Sequence, residues 1–200
     1  MKKPLYPFFV DYAIPKNAKE ALLRQKAKVI WLVGLPSAGK STIAQGLEKK
    51  LYQEGFLTQL LDGDHLRTGL SQDLSFLAAD RIENIRRVAE VAKLFLDCGV
   101  VTLASFICPT HDLQTLAKKI IGEEHLIEVF IECPLAVCEA RDVKGLYAKA
   151  RAGEISDFTG ISSPFEPPTH PQIVIHTAEE SPEQSIDRLY RLVKPLFIYS

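Results

Sequence analysis

The stretch VIWLVGLPSAGKST, residues 29–42, constrains the chain more than any other. An apolar, β-branched run enters Gly34-x-x-x-x-Gly39-Lys40-Ser41, and a helical pattern leaves it with Ile43, Ala44, Leu47 and Leu51 on one face as far as Gly55. Strand, glycine-bounded loop and helix in that order form a phosphate cradle, because successive backbone N–H groups and the positive end of the helix converge on anionic oxygens. Lys40 supplies a point charge and the Ser41 hydroxyl is a ligand for a divalent cation. A nucleophile elbow, G-x-S-x-G, needs glycine at position 35, where this chain has leucine.

The remaining pattern places that loop in a sheet. VIWLVG, TQLLDGD, VVTLASF, LIEVFIEC and QIVIHT read as five strands buried on both faces, alternating with helical segments. Such alternation predicts an α/β fold with a mostly parallel five-stranded sheet and helices on both faces. One helix spans about Asp80 to Cys98, with Ile82, Ile85, Ala89, Ala92 and Leu96 as its apolar stripe. Another opens on the capping box Ser181-Pro182-Glu183-Gln184 and buries Ile186, Leu189, Leu192 and Val193. Residues 1–27 lack a clear period and carry Pro4, Pro7 and Pro15, so they read as an arm ahead of one domain at 28–200. Between Arg141 and Pro171, glycines, prolines and basic residues interrupt the pattern, which predicts a mobile lid.

A chain of 200 residues with 46% hydrophobic content and a net charge of −1 has no global basic field for nucleic acid or an anionic membrane. No apolar run approaches the roughly 20 residues that a membrane helix needs. The opening segment makes a poor signal peptide, and the expectation is a cytoplasmic protein. Cys98, Cys108, Cys133 and Cys138 sit in apolar surroundings without a C-x-x-C pair, as expected of buried, reduced thiols.

A second chemical cluster is LLDGDHLRTGL, residues 60–70, where a strand ends at Asp62 and turns through Gly63. Carboxyl ends of strands in open α/β sheets face the ligand crevice, so Asp62, Asp64 and Arg67 are expected at the same mouth as the loop. A carboxylate there orients Mg²⁺ waters or accepts a hydroxyl proton, and an arginine grips a second anion.

With these residues in view, the ordered set GLPSAGKST, LLDGDHLRTGLSQDLSF, DRIENIRRVAEVAKLF, VVTLASFICP, IEVFIECPLAVCEARDVKGLYAKARAGEISDFTGI and PFEPP resembles the adenylylsulfate kinase family from about Val29 to Pro168. The resemblance implies a three-layer P-loop kinase fold and transfer of the ATP γ-phosphoryl group to the 3′-hydroxyl of adenosine 5′-phosphosulfate (APS). By matching positions, Gly34, Leu35, Pro36, Ser37, Ala38, Gly39, Lys40, Ser41 and Thr42, with Arg141, would bind ATP, and Ser41 and Asp62 would attend Mg²⁺. Asp64 would act with Lys40 in catalysis, near the attacking hydroxyl. His65, Leu66, Arg67, Arg81, Asn84, Phe106, Ile107, Lys144 and Asp157 would line the acceptor site, with Phe76 and Phe158 clamping its adenine. Closure of the segment that bears Lys144 would exclude water. The resemblance also implies a homodimer, with ATP sulfurylase as a candidate partner.

Several positions depart from the family pattern. Pro36, Ser37 and Ala38 stand where the loop commonly reads Ser-Gly-Ser, and Pro36 removes one N–H donor. His65, Ser71 and Ser75 replace the usual Asn, Asn and Gly, and His111 follows a segment that lacks the expected arginine. Cys108 replaces a serine for which a transient phosphoryl-carrying role has been proposed in the family, so direct in-line transfer is expected. These departures keep open a sister kinase acting on another nucleotide 5′-anhydride. A non-catalytic nucleotide-binding subunit is the further alternative, against which stands the retained set Lys40, Ser41, Asp64, Arg67 and Lys144.

Overall fold

Side chains along β1 (Val29–Val33) alternate between two cores in the computed structural model, which describes residues 14–199. Ile30 and Leu32 enter one core while Val29, Trp31 and Val33 enter the other, so a continuous apolar run feeds both faces of the sheet. The other strands are β2 (Thr58–Asp62), β3 (Val101–Ser105), β4 (Leu126–Glu132) and β5 (Ile173–His176). Every pairing is parallel and the order is β2-β3-β1-β4-β5. The connections therefore diverge on either side of β1, and that switch point is where an open α/β sheet binds its ligand.

Helices α2 (Lys40–Gln53) and α8 (Pro182–Val193) supply Ile43, Ala44, Leu47, Leu51, Leu189 and Val193 to the first core. On the opposite face, α4 (Ala78–Asp97) and α5 (His111–Ile121) supply Ile85, Val88, Ala92, Leu96, Leu113 and Ala117 to the second. The capping box is formed as expected, with Ser181 accepting from the Gln184 N–H at 3.2 Å and Gln184 accepting from the Ser181 N–H at 2.8 Å. Short helices α3 (Gly63–Leu66), α6 (Leu135–Arg141) and α7 (Leu146–Arg151) lie at the carboxyl edge of the sheet.

Three expectations are corrected. Ile82 is exposed, because the first turn of α4 stands beside the cleft that Arg81 and Asn84 line rather than over the sheet. Leu192 is exposed as well, being rotated off the row Ser185, Leu189, Val193 that meets the core. Cys98 caps the end of α4 at the surface, while Cys108, Cys133 and Cys138 are buried as expected.

Of the expected arm, residues 1–13 lie outside the described part. Residues that follow form a helix that the sequence period does not betray, α1 (Lys16–Leu23). It is tied to the domain by buried polar groups: the Glu20 carboxylate accepts from the Ala27 N–H at 2.8 Å, and the Gln25 amide donates to the carbonyls of Leu57 and Gly99.

Candidate active site

A cleft of about 810 Å³ lies at the carboxyl edge of the sheet, lined by the loop after β1, by Asp62 and Ser105 at the ends of β2 and β3, and by Thr177 after β5. The loop between β1 and α2 forms its floor. Gly34 is required there by packing, since a Cβ at that position would stand 2.7 Å from the Ile131 carbonyl oxygen. Gly39 sits at φ +102° and Ser37 at +58°, left-handed conformations that bend the chain around a would-be anion.

Not every N–H of the loop is free to face a ligand. Pro36 has none, and the Ala38 N–H is donated to the Leu35 carbonyl at 3.2 Å. Pro36, Ser37, Gly39, Lys40, Ser41 and Thr42 line the cleft, whereas Gly34, Leu35 and Ala38 do not. Leu35 faces a separate shallow pocket with Leu135 and Gly160, and Ala38 is fully buried in the core.

Lys40 is buried at the start of α2, and its ammonium donates to the Leu35 carbonyl at 2.7 Å. Burial lowers its pKa to about 8, with Cys138, Asp62 and Asp64 opposing the shift. The Ser41 hydroxyl donates to Asp62 Oδ2 at 2.7 Å, and Asp62 Oδ1 accepts from the Asp64 N–H at 3.1 Å. Loop, β2 end and α3 are thus joined through one carboxylate. Asp64 itself is solvent-facing and is ion-paired with Lys144 from the segment between α6 and α7.

The opposite wall carries two arginines whose head groups reach backbone carbonyls. Arg67 donates to the carbonyls of Leu74 and Ser75 and lies over the Phe76 ring, 4.2 Å from its centroid. Arg81 donates to the Phe76 carbonyl at 2.7 Å, to Thr159 Oγ1 at 3.0 Å and to the Asp157 carbonyl. Burial lowers the Arg67 pKa, and the neighbouring Arg81 charge adds to that effect. Neither side chain is neutralised by a paired carboxylate within salt-bridge distance among the described residues, so this wall attracts an anion.

Asn84 is buried, lines the cleft and has an Oδ1 without a hydrogen-bond partner, an acceptor left for a ligand donor. Phe158 packs edge-on against Tyr147 with 5.0 Å between centroids, while Phe76 is exposed. Both rings line the cleft, as do Phe106, Ile107, Asp157, Lys144 and Arg141. His65 and Leu66 do not: His65 is exposed, and Leu66 packs against the second core.

Sequence reasoning missed Tyr147 and Thr177. The Thr177 hydroxyl donates to the Ala38 carbonyl at 2.7 Å and accepts from Arg141 at 3.3 Å, and the Tyr147 hydroxyl donates to the Pro36 carbonyl at 3.0 Å. Their only sequence signals are a hydroxyl residue at the end of a strand and a tyrosine within the KGLY motif.

Buried Cys108 lies at the cleft wall with φ +45°, and burial pushes its thiol up to about 12. His111 stands apart from the cleft lining, where its ring nitrogen contacts the Pro167 carbonyl at 2.9 Å and its N–H donates to Glu166 at 2.7 Å.

A phosphate loop at the switch point, a serine–aspartate pair beside it and an opposed wall of arginine define a nucleotide-dependent phosphotransferase of the P-loop class. Comparison with known proteins gives the family. The family model described as adenylylsulphate kinase matches residues 26–176. The adenylyl-sulfate kinase of Bacteroides fragilis is 51% identical over 191 residues, covering 96% of this chain and 94% of that protein. The bifunctional enzyme CysN/CysC of Xylella fastidiosa is 52% identical over 94% of this chain but 29% of its own length. Among solved structures, the Mycobacterium tuberculosis APS kinase CysC in complex with AMPPNP and APS superposes with a TM-score of 0.81 at 43% identity, covering 84% of this chain and 98% of that one. The chain belongs to the adenylylsulfate kinase family.

Proposed function

We propose that the chain is an ATP-dependent adenylylsulfate kinase that transfers the γ-phosphoryl group of ATP to the 3′-hydroxyl of APS, giving 3′-phosphoadenosine 5′-phosphosulfate. The observation that carries this reading is the pairing of two unlike anion-binding walls in one cleft: the phosphate loop with Lys40 on one side, Arg67 and Arg81 on the other. A kinase of two nucleotides needs both, and in-line transfer needs them opposed.

On this reading the loop and Arg141 hold the ATP phosphates. Lys40 stabilises charge that builds on the transferring group, where burial makes that charge count for more. Asp64 orders the acceptor hydroxyl and takes its proton, and its carboxylate is held in an ion pair with Lys144. Arg67, Arg81 and Asn84 grip the phosphosulfate and ribose, and Phe76 and Phe158 hold the adenine. The segment at 141–171 serves as the closing lid, reading Arg81 through Asp157 and Thr159.

Magnesium fits the oxygen donors of Ser41 and Asp62, which stand 2.7 Å apart at the carboxyl edge of the sheet. That small set suits an ion which takes one or two protein ligands and fills the rest of its shell with phosphate and water. When bound, the ion would supply positive charge against that of the phosphates.

Cys108 is unsuited to carrying a phosphoryl group, because its thiol stays protonated near neutral pH. Direct in-line transfer is the route that this reading takes. We further propose a homodimer and a cytoplasmic setting, the latter supported by four cysteines that form no disulfide. No helix among the described residues is long and apolar enough to cross a membrane. Association with ATP sulfurylase draws support from the Xylella relative, in which the matching stretch is one part of a bifunctional enzyme.

The sister reading, another nucleotide 5′-anhydride as acceptor, rests on His65, Ser71, Cys108 and His111, of which only Cys108 lines the cleft. The deciding test presents the purified protein with Mg-ATP and APS beside a panel of other nucleotide 5′-anhydrides and locates the new phosphate by phosphorus NMR. Conversion of APS at its 3′-oxygen in preference to the panel is expected; a panel member consumed faster than APS would overturn the assignment.

A further inference from the structure

The phosphate loop of this chain is short of donors. A trans peptide unit is planar, so each N–H points opposite to the carbonyl that precedes it. The Leu35–Pro36 unit carries no N–H, and the Ala38 N–H is spent on the Leu35 carbonyl. In the first half of the loop, Ser37 and Gly39 are left to face an anion, and both line the cleft.

Those two N–H groups belong to the peptide units whose carbonyls are Pro36 O and Ala38 O. Each of these carbonyls is captured by a side-chain hydroxyl from a distant part of the chain. Tyr147, on α7, donates to Pro36 O at 3.0 Å; Thr177, after β5, donates to Ala38 O at 2.7 Å. Both donors are buried, at 2% and 7% exposure. Burial holds the Tyr147 phenol protonated well above its ordinary range, so it remains a donor. Thr177 has one hydroxyl proton and gives it to Ala38, leaving its lone pairs to accept from the Arg141 guanidinium at 3.3 Å. Its Cγ2 also lies 3.7 Å from where a Cβ on Gly39 would stand.

We propose that Tyr147 and Thr177 are positioning residues that hold the loop's two remaining donor peptides, at Ser37 and Gly39, turned toward the nucleotide phosphates. The loop is prearranged from outside itself, which substitutes for the glycine and the N–H that the Pro36-Ser37-Ala38 sequence lacks. Thr177 additionally keeps Arg141 in register with the loop through its own carbonyl, which accepts from Arg141 at 2.5 Å. The inference rests on the nucleotide-binding reading of the loop.

Calorimetric titration of the full chain with AMPPNP and, separately, with inorganic tripolyphosphate tests it. Tyr147→Phe and Thr177→Val keep ring and methyl packing while removing the hydroxyls. Each is expected to weaken both titrants by about five- to tenfold, the effect of one net hydrogen bond. Thr177→Ser, which keeps the hydroxyl, should bind like the parent, and the KM for APS should stay within about twofold in all three. Parent-like binding by both Tyr147→Phe and Thr177→Val would overturn the proposal. So would Thr177→Ser binding as weakly as Thr177→Val, which would make the contribution one of packing. Failure of the parent to bind either titrant would instead overturn the nucleotide reading. Should Thr177→Val not fold, Tyr147→Phe decides the matter: weakened binding of both titrants supports the proposal, and parent-like binding overturns it.

Discussion

The two walls of the cleft are built differently. On the ATP side the functional groups sit on strand ends and a helix start; Lys40 is buried, Ser41 is bonded to Asp62, and loop carbonyls are held by Tyr147 and Thr177. On the acceptor side the groups ride on loops and one helix face, Phe76 is exposed, and Arg67 and Arg81 bond to carbonyls of neighbouring loops and, for Arg81, to the Thr159 hydroxyl. A prearranged wall loses little on binding, whereas the acceptor wall must release Arg81 from Asp157 and Thr159 before it can turn to an anion. Phosphates common to every P-loop enzyme meet the rigid wall. On the proposed reading, the phosphosulfate anhydride of the acceptor meets the other, adjustable one.

The largest expected effect falls on the rigid wall. Lys40→Met removes the buried charge that the proposed function sets against the transferring group, and kcat/KM for ATP should fall by roughly 10²- to 10³-fold. Activity within a few-fold of the parent would show that the ATP wall does not depend on its prearranged charge. Next comes Arg81→Gln on the adjustable wall. It should raise the KM for APS by about tenfold, the size of a lost charge-assisted bond, and leave the KM for ATP within about twofold. Equal losses for both substrates would mean that the lid contacts of Arg81 organise the ATP side too, which would erase the contrast.

A smaller effect follows from pH. Lys40 in the free enzyme loses its proton as pH rises through about 8, and phosphate binding needs the charged form. Hence kcat/KM for ATP should decline by about fourfold between about pH 7 and about pH 8.5, in a profile that reports the free enzyme. The Lys40 cause is checked with Lys40→Arg, whose charge persists across that range; an unchanged decline in that variant would assign it elsewhere.

Much of this architecture was legible because its signals are local. β-branched runs give the five strands, and the capping box at Ser181 and the glycines that end α2 and α4 mark helix limits. The site was legible as motifs but not as surfaces. Neighbouring residues of a tight loop face different ways, so a contiguous reading of Gly34 to Thr42 or of Asp64 to Arg67 includes residues such as Ala38 and Leu66 that turn into the core. Strand order, the helix α1 and the clamps at Tyr147 and Thr177 depend on contacts between residues far apart; the two hydroxyl bonds span 111 and 139 positions. No local period encodes them.

The smallest effect is expected where motif and surface disagree. His65 departs from the family's asparagine inside the DGD segment, yet its side chain is exposed outside the cleft, and its carbonyl accepts from Thr68 Oγ1 at 2.7 Å to close the turn. Backbone, not imidazole, does the structural work at this position. His65→Asn should therefore shift the KM for APS and the melting free energy by no more than about 0.5 kcal/mol, the ordinary range for a surface substitution. A change of tenfold or more in the APS KM, with the ATP KM constant, would show that the acceptor wall extends around α3 when the substrate is bound. Its adjustable part would then begin at the end of β2 itself, directly against the Ser41–Asp62 pair of the rigid wall.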